Sequence, residues 1–197
     1  MAHKEQIDFC TSVKALYPEY FNPIKATDGG LHTVRVLDIG SLDINGNNRY
    51  LWDNGDDKLF KVDYTGIDIG AGPNVDQVVS GHEFKSDMQY DVIISTECFE
   101  HDKHYAQTLR NAYNLLKQGG LLMFSCAAPG RPEHGTVATS PKDSPFTTDY
   151  YKNLSEMDIR NAFCVAGVEQ LSDVFLNYHF QTRTEFPQDL YFYGIKR

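Results

Sequence analysis

The sequence lacks any long apolar run, any cluster of basic residues and any closely spaced pair of cysteines. No apolar run approaches the roughly 18–20 residues that span a bilayer, and residues 1–16 hold no apolar stretch typical of a secretion signal. The net charge of −9 disfavours a nucleic-acid partner, because proteins that bind phosphate backbones concentrate Lys and Arg. We therefore expect a cytoplasmic protein that binds a small molecule and neither a membrane nor a nucleic acid.

The four cysteines are scattered and form no Cys-x-x-Cys motif. In a cytoplasmic chain this spacing is typical of reduced thiols in or near the core. Cys98 and Cys126 lie close to predicted strand ends, which leaves a functional thiol as the alternative. The length of 197 residues suits a single domain over 1–197, and the sequence gives no indication of oligomeric state.

Apolar runs that end in acidic or polar residues recur along the chain. The clearest is Val36–Ser41, where a β-branched run leads into an acid, a glycine and a serine. Similar runs predict strands over 33–39, 64–69, 91–95 and 121–126. Open α/β sheets bind ligands beyond the carboxyl ends of their strands, which is where these polar residues fall.

Helical spacing of apolar residues predicts helices over 3–16, 101–117 and 154–166. Gly119 and Gly120 are expected to stop the second, and Ser155 to cap the third.

The remaining segments divide into short elements and one long loop. We predict a short helix over 45–51, a turn over 54–57, a possible strand over 75–79 and a terminal hairpin from 171–180 and 190–195. The polar loop 128–148 carries four prolines and exceeds ordinary connections, so it is predicted to be a substrate lid. Residues 1–30 are expected to form an N-terminal helix and its lead-in.

In this order and spacing the segments resemble class I S-adenosylmethionine-dependent methyltransferases, of the small-molecule methyltransferase-11-like type. The matching features are the first motif at 36–41, Asp68 at the end of the second strand, the run 90–101 with its Glu-His ending, and the segment 115–122. The resemblance implies a three-layer Rossmann-like fold with a mostly parallel seven-stranded sheet and an antiparallel last strand. It also implies S-adenosyl-L-methionine as the cofactor.

The first motif departs from the family's Gly-x-Gly-x-Gly pattern. Only Gly40 stands in that frame, with Leu42 and Ile44 at the next two glycine positions. We therefore expect a wider loop in which the side chain of Asp43 or Asn45 reaches the cofactor.

The resemblance and the chemistry of the donor together assign the binding residues. A ribose diol is held well by one carboxylate that accepts two hydroxyl hydrogen bonds, which suits Asp68, and a glycine at position 40 permits close backbone approach. By its position in the family pattern, His82 is expected to lie beside the adenine. The alternative is that it is an exposed histidine in a turn. The predicted cofactor-binding residues are Asp38, Gly40, Ser41, Leu42, Asn45, Asp68, Ile69, Gly81, His82, Glu83, Ser95 and Glu97.

Two histidines are the candidate catalytic residues. His101 is predicted as the base, with His134 as the second candidate, and a capping or packing role is the alternative for His101. His101, His104 and His134 also offer metal ligands, as in a metal-dependent O-methyltransferase. Because they show no known metal spacing, no metal is predicted.

The predicted function is methyl transfer to oxygen or nitrogen of a small-molecule acceptor. One rival is an NAD-dependent Rossmann oxidoreductase, which Asp38 and Asp43 disfavour because acids beside the turn repel a pyrophosphate. The other is a non-catalytic protein that binds S-adenosylmethionine. Tyr150 and Tyr151 are expected either to form an aromatic wall or to pack in the core, and Trp52 either to cover the cofactor or to pack its own insertion.

Overall fold

The computed structural model describes residues 4–22, 33–53, 61–165 and 167–197. The helices and strands within these ranges are, in chain order, α1 (Lys4–Leu16), β1 (Thr33–Ile39), β2 (Lys61–Asp68), β3 (Gln77–Val78), β4 (Tyr90–Thr96), α2 (Tyr105–Leu115), β5 (Leu116–Ala127), α3 (Glu156–Phe163), β6 (Phe175–Thr182) and β7 (Asp189–Lys196). None of the helices in the described ranges is both long and apolar enough to cross a membrane.

The described strands form a seven-stranded sheet in the order β3-β2-β1-β4-β5-β7-β6. Neighbouring strands from β3 to β5 run parallel. Strand β7 pairs antiparallel with both β5 and β6, which gives the predicted terminal hairpin. The predicted fold, mostly parallel with an antiparallel last strand, is therefore confirmed.

The central strands are buried on both faces because successive residues are apolar. In β4, Val92 and Ile94 pack on the side of α1 with Phe9, whereas Ile93 packs on the opposite side with Leu109 of α2. Side chains alternate between the two faces of a strand, so a continuous apolar run needs cover on both sides. Helices on both faces of the sheet make the three layers.

Helix α2 is shorter than predicted at both ends. It begins at Tyr105 and ends at Leu115, because Leu116 already pairs with Tyr90 in the sheet. The glycines do not stop the helix as predicted, since Gly119 lies within β5 with a φ of +73°. Strand pairing here outweighs the helical periodicity.

Helix α3 begins as predicted, with a reciprocal cap. The Ser155 hydroxyl accepts from the backbone N–H of Asp158, and the Asp158 carboxylate accepts from the backbone N–H of Ser155. The helix ends at Phe163, earlier than predicted. The run predicted as a strand from 171 opens with a 3₁₀ turn, Leu171–Asp173, and β6 starts only at Phe175.

Several short elements also differ from prediction. The helix predicted over 45–51 is a 3₁₀ turn, Asn48–Trp52, and the strand predicted over 75–79 is the two-residue β3. Trp52 is buried and stacks on Phe21 with 5.1 Å between ring centroids, so it packs the segment after β1 against the N-terminal part of the chain. The turn predicted at 54–57, and residues 1–3 and 23–30 of the N-terminal segment, lie outside the described residues.

Candidate functional site

A cleft of about 470 Å³ opens at the carboxyl ends of the parallel strands. It lies where the strand order reverses, because β2 follows β1 on one side and β4 follows it on the other. Such a switch point is the usual ligand site of an open α/β sheet, and the volume lies in the range of small-molecule pockets, about 300–1,000 Å³.

The first wall of the cleft is the turn after β1. Gly40 has a φ of +76°, and a Cβ at this position would lie 2.4 Å from the Cys98 Sγ. Its backbone N–H donates to the Ile67 carbonyl at 2.9 Å. The turn therefore needs glycine both for its left-handed backbone and for the close approach of the segment after β4.

The loops that follow β1 and β2 are joined to each other. The Ser41 hydroxyl donates to the Asn74 carbonyl at 3.1 Å, and the Asn74 amide donates back to the Ser41 carbonyl at 2.8 Å. The backbone N–H of Asp43 donates to the Pro73 carbonyl at 3.0 Å. These reciprocal bonds hold the two loops as one unit.

Asp68, at the end of β2, places its carboxylate in this wall. One oxygen accepts from the backbone N–H of Leu42 at 3.2 Å and the other from the backbone N–H of Gly70 at 3.1 Å. Burial raises the pKa of Asp68, and these backbone donors lower it in part. Each carboxylate oxygen has two lone pairs, so acceptor capacity remains for a ligand in the cleft.

The turn after β3 brings Gly81, His82 and Glu83 to the same cleft. The Asn111 side-chain amide donates to the Gly81 carbonyl at 2.8 Å and fixes the turn against α2. The His82 ring lies 4.2 Å from the His104 ring, between centroids, and its Nδ1 is buried without a hydrogen-bond partner among the described residues.

The opposite wall holds a buried ion cluster. Arg131 donates to both Glu97, which lies just past β4, and Asp189, at the start of β7. Glu97 has a φ of +53° and also accepts from the Ser125 hydroxyl at 2.9 Å. All three charged side chains are more than nine-tenths buried. The cluster ties together β4, β7 and the loop after β5.

Beside it lie Glu100, His101 and His134. Glu100 is fully buried, and neither carboxylate oxygen has a hydrogen-bond partner among the described residues. Burial, together with the nearby Glu97 carboxylate, raises the pKa of Glu100 to about 8. Burial also lowers the pKa of His101 to about 4, and the neighbouring His134, 5.1 Å away between ring centroids, adds to this.

The long loop contributes its last third to the cleft, through residues 143–147. Phe146 lies against the turn after β2, where a Cβ on Gly70 would fall 1.9 Å from the Phe146 ring. The loop is pinned by a hydrogen bond from the Val137 N–H to the Thr148 carbonyl at 3.0 Å. Tyr150 at its exit also lines the cleft, whereas Tyr151 packs on the His101 ring.

The structure brings nine of the predicted site residues together in the cleft. These are Gly40, Leu42, Asp68, Ile69, Gly81, His82, Glu83, Glu97 and His101. They come from four separate strand ends, which the topology makes neighbours.

Five predicted site residues do not line the cleft, for different physical reasons. Asp38 is buried in the fold, Asn45 is exposed, and His134 lies against the His101 ring without lining the cleft. The Ser41 hydroxyl faces the loop after β2, and the Ser95 hydroxyl donates to the Ile39 carbonyl at 2.8 Å. Both serines therefore tie backbone segments together.

Asp38 is held by its own partners inside the fold. It accepts from the Tyr64 hydroxyl at 2.6 Å and from the Asn48 amide at 3.3 Å. Burial raises its pKa to about 6, although these two hydrogen bonds act in the opposite direction. Asp43, the other loop residue expected to reach the cofactor, does not line the cleft either, and its carboxylate accepts from the Gly46 N–H at 2.7 Å within the loop.

Sequence reasoning missed Phe146 and the pairing of Arg131 with Asp189. A signal for Asp189 exists in the sequence, because it is an acid at the start of the apolar run 190–193. An acid drawn into a buried strand requires a cationic partner, and Arg131 is such a residue in the loop nearby.

Comparison with known proteins agrees with this geometry. A family model described as a methyltransferase domain matches residues 2–162, while the comparison with curated proteins finds no match. The crystal structure of the CurJ carbon methyltransferase is 18% identical with a TM-score of 0.62, and the match covers 97% of this chain and 55% of that one. The chain thus spans about half the length of that structure.

Two further solved structures are similar over nearly their whole length. The plantazolicin methyltransferase BamL, in complex with a triazolic desmethylPZN analog and SAH, is 15% identical with a TM-score of 0.62, covering 98% of this chain and 86% of that one. The N-methyltransferase NodS from Bradyrhizobium japonicum WM9, in complex with SAH, is 11% identical with a TM-score of 0.56, covering 98% and 88%. At these identities the likeness establishes the fold. With the family model spanning most of its length, this chain belongs to the methyltransferase domain family, which confirms the predicted family and enzyme class.

Proposed function

We propose that this protein transfers the methyl group of S-adenosylmethionine to oxygen or nitrogen of a small-molecule acceptor. The observation that carries the proposal is the Asp68 carboxylate, positioned in the cleft between the Gly40 turn and the turn at 81–83. A carboxylate in this setting suits the two hydroxyls of a ribose. The methyltransferase family to which the chain belongs supports the same donor.

The donor extends along the wall built by β1, β2 and the turn after β3. Asp68 binds the ribose, Gly40 lets the backbone approach the ligand, and His82 lies beside the adenine. Glu97 faces the amino-acid end from the opposite side. Asp38, Ser41 and Ser95 act indirectly, since their side chains bond the elements that shape this wall.

The acceptor enters under the loop 128–148, which acts as the lid. Phe146 from this loop and Tyr150 just beyond it give the cleft an apolar surface facing the donor wall. In the reaction the methyl–sulfur bond breaks, its electron pair stays on sulfur, and the acceptor's lone pair forms the new bond. Positioning carries most of such an in-line displacement.

The predicted role of His101 as the base is weakened by its surroundings. A general base works best when its pKa lies near the operating pH, and burial lowers the pKa of His101 to about 4. The second candidate, His134, lies outside the cleft, and burial lowers its pKa as well. We therefore propose that the acceptor is one that needs little help from a base in losing its proton.

All four cysteines are free, which supports the expectation of a reducing, cytoplasmic setting.

The test is isothermal titration with S-adenosylhomocysteine, with NAD as the parallel ligand. We expect saturable binding of the first and none of the second. Asp68→Ala should weaken S-adenosylhomocysteine binding at least about 100-fold, because two charge-assisted hydrogen bonds of about 1.5–3 kcal/mol each are lost. Asp63→Ala, which removes another acid of β2 outside the cleft, is the matched control and should bind like the parent.

Two results would contradict the proposal. Binding of NAD in place of S-adenosylhomocysteine would favour an oxidoreductase. Unchanged affinity in Asp68→Ala would remove the ribose assignment, whatever the enzyme class.

A further inference from the structure

Glu100, His101 and His134 converge behind the acceptor side of the cleft. Each offers one ligand atom, and these atoms all lie within 4.8 Å of one another. Glu100 and His101 belong to a 3₁₀ turn after β4, whereas His134 comes from the loop after β5. Two adjacent residues and a third more than 30 positions further along the chain thus present a carboxylate and two imidazoles to one point.

Three of the polar atoms on these residues have no hydrogen-bond partner among the described residues. Glu100 is fully buried, and both of its carboxylate oxygens, as well as the Nδ1 of the buried His101, lack a hydrogen bond. Buried polar groups in native proteins are almost always paired, because leaving them unpaired costs free energy. Unpartnered atoms on two of the three converging residues indicate a ligand that supplies the missing bonds.

The imidazole rings are held in orientations that suit metal binding. The His134 Nδ1 lies 3.2 Å from the Pro132 carbonyl, so a proton on Nδ1 leaves Nε2 as a lone-pair donor. The His101 ring makes a backbone hydrogen bond at Tyr150, while its Nδ1 stays unpartnered. Metal-binding histidines are typically fixed in this way through their second nitrogen.

The local charge also favours a cation. The charged groups that interact here are Glu97, Glu100, Arg131 and Asp189. Three of these groups are carboxyls and one is a guanidinium, so acidic side chains outnumber basic ones around the point where the ligand atoms meet.

We propose that Glu100, His101 and His134 bind one divalent transition-metal ion, with Zn²⁺ as the best match to two imidazoles and a carboxylate. This inference does not depend on the proposed methyl transfer. Because His134 lies in the loop 128–148, the ion joins that loop to the turn after β4. His101 also lines the cleft, so the ion lies next to the acceptor space.

The arrangement differs from the histidine set that the sequence suggests. His104 lies against His82, with 4.2 Å between ring centroids, and is not part of the convergence. Glu100 takes its place, which sequence spacing did not reveal. His104 therefore provides a matched control.

The experiment is a titration of chelator-treated, dialysed protein with ZnCl₂, followed by calorimetry and by thermal unfolding. We expect one Zn²⁺ per chain and a rise in Tm, because a ligand that binds only the folded state stabilises it. Glu100→Gln and His134→Gln should each weaken Zn²⁺ binding at least about tenfold. His104→Gln should bind within about twofold of the parent. Circular dichroism checks that each variant is folded.

Titration with Co²⁺ gives a second readout, the visible absorption bands of a four- or five-coordinate ion, which should disappear in His134→Gln. The proposal is overturned if the parent shows no saturable binding, or if Glu100→Gln and His134→Gln bind as tightly as the parent. Loss in His104→Gln with retention in His134→Gln would place the ion at the other histidine pair and also overturn it. Titration with S-adenosylhomocysteine in the presence of chelator tests donor binding separately, so the two proposals fail independently.

Discussion

The two walls of the cleft are built in different ways. The donor wall, formed by the loops after β1 and β2, pairs its polar groups through backbone hydrogen bonds, as in the contacts of Asp68 with Leu42 and Gly70. The acceptor wall, after β4 and β5, is built from buried charged side chains that meet across the fold, such as Arg131 between Glu97 and Asp189.

This difference has energetic consequences. A carboxylate bonded by backbone N–H groups is held by the local chain and loses little when a distant side chain changes. A buried ion cluster depends on every member, because removal of one leaves an uncompensated charge in the interior. The donor wall is therefore expected to tolerate distant substitutions that the acceptor wall does not.

The largest effect should come from the centre of the acceptor wall. Arg131→Met should lower the free energy of unfolding by about 3–5 kcal/mol, because it leaves Glu97 and Asp189 buried without their shared cation. The measurement is urea denaturation with chelator present. Lys103→Met, which removes a cation from an exposed pair with Asp149, should change it by at most about 1 kcal/mol. Equal effects of the two substitutions would show that the buried cluster of the acceptor wall is no more sensitive to the loss of one member than an exposed ion pair.

The second prediction concerns Asp38, a deeply buried acid beneath the donor wall. Asp38 has a pKa of about 6 in the folded protein because of burial, above its ordinary value of 3.8. The folded state therefore holds the proton more tightly, and Asp38 should lower the free energy of unfolding by about 3 kcal/mol as the pH rises from about 4 to about 6, with no further change above that.

Denaturation across this pH range, compared with Asp38→Asn, isolates the effect from the other carboxyls. The Asn variant retains an acceptor for the Tyr64 hydroxyl but does not titrate. If the free energy of unfolding depends on pH in the same way in both proteins, ionisation of Asp38 does not destabilise the fold and the prediction is wrong.

The smallest expected effect is a difference between two glycine variants. It separates the cost of backbone strain from the cost of crowding at Gly40, which lies in the donor wall. Gly40 and Gly119 both have a positive φ, but only a Cβ at position 40 meets another atom, the Cys98 Sγ at 2.4 Å. Gly119→Ala should cost about 1–2 kcal/mol from strain alone. Gly40→Ala should cost about 1–3 kcal/mol more, because the new methyl overpacks the turn. Chemical denaturation of both variants checks this, and equal losses would show that crowding contributes nothing.

The same contrast explains what could be read from the sequence. The donor wall follows from segments close to the strand ends, so Gly40, Asp68 and the turn at 81–83 were predicted and line the cleft. Local apolar runs also predicted four of the parallel strands and the terminal hairpin, whereas the antiparallel last strand was implied by the family resemblance. Side-chain direction is harder to predict, since Asp38 and Ser95 were assigned to the cofactor but point into the fold.

The acceptor wall depends on contacts between segments far apart in the chain. The pairing of Arg131 with Asp189 spans 58 positions, and although an acid at the start of an apolar run signals a buried charge, no periodicity or motif identifies its partner. The extent of α2 was also mispredicted, because the pairing of Leu116 with Tyr90 decides where the helix ends. These features follow from tertiary packing, which a single sequence does not display.

The reciprocal hydrogen bonds between Ser41 and Asn74 have a consequence for engineering. A glycine-rich loop grafted after β1 loses the partner of Asn74, and a new loop after β2 loses the partner of Ser41. The two loops thus form one transplantable module, and residues 40–47 should be exchanged only together with residues 70–76.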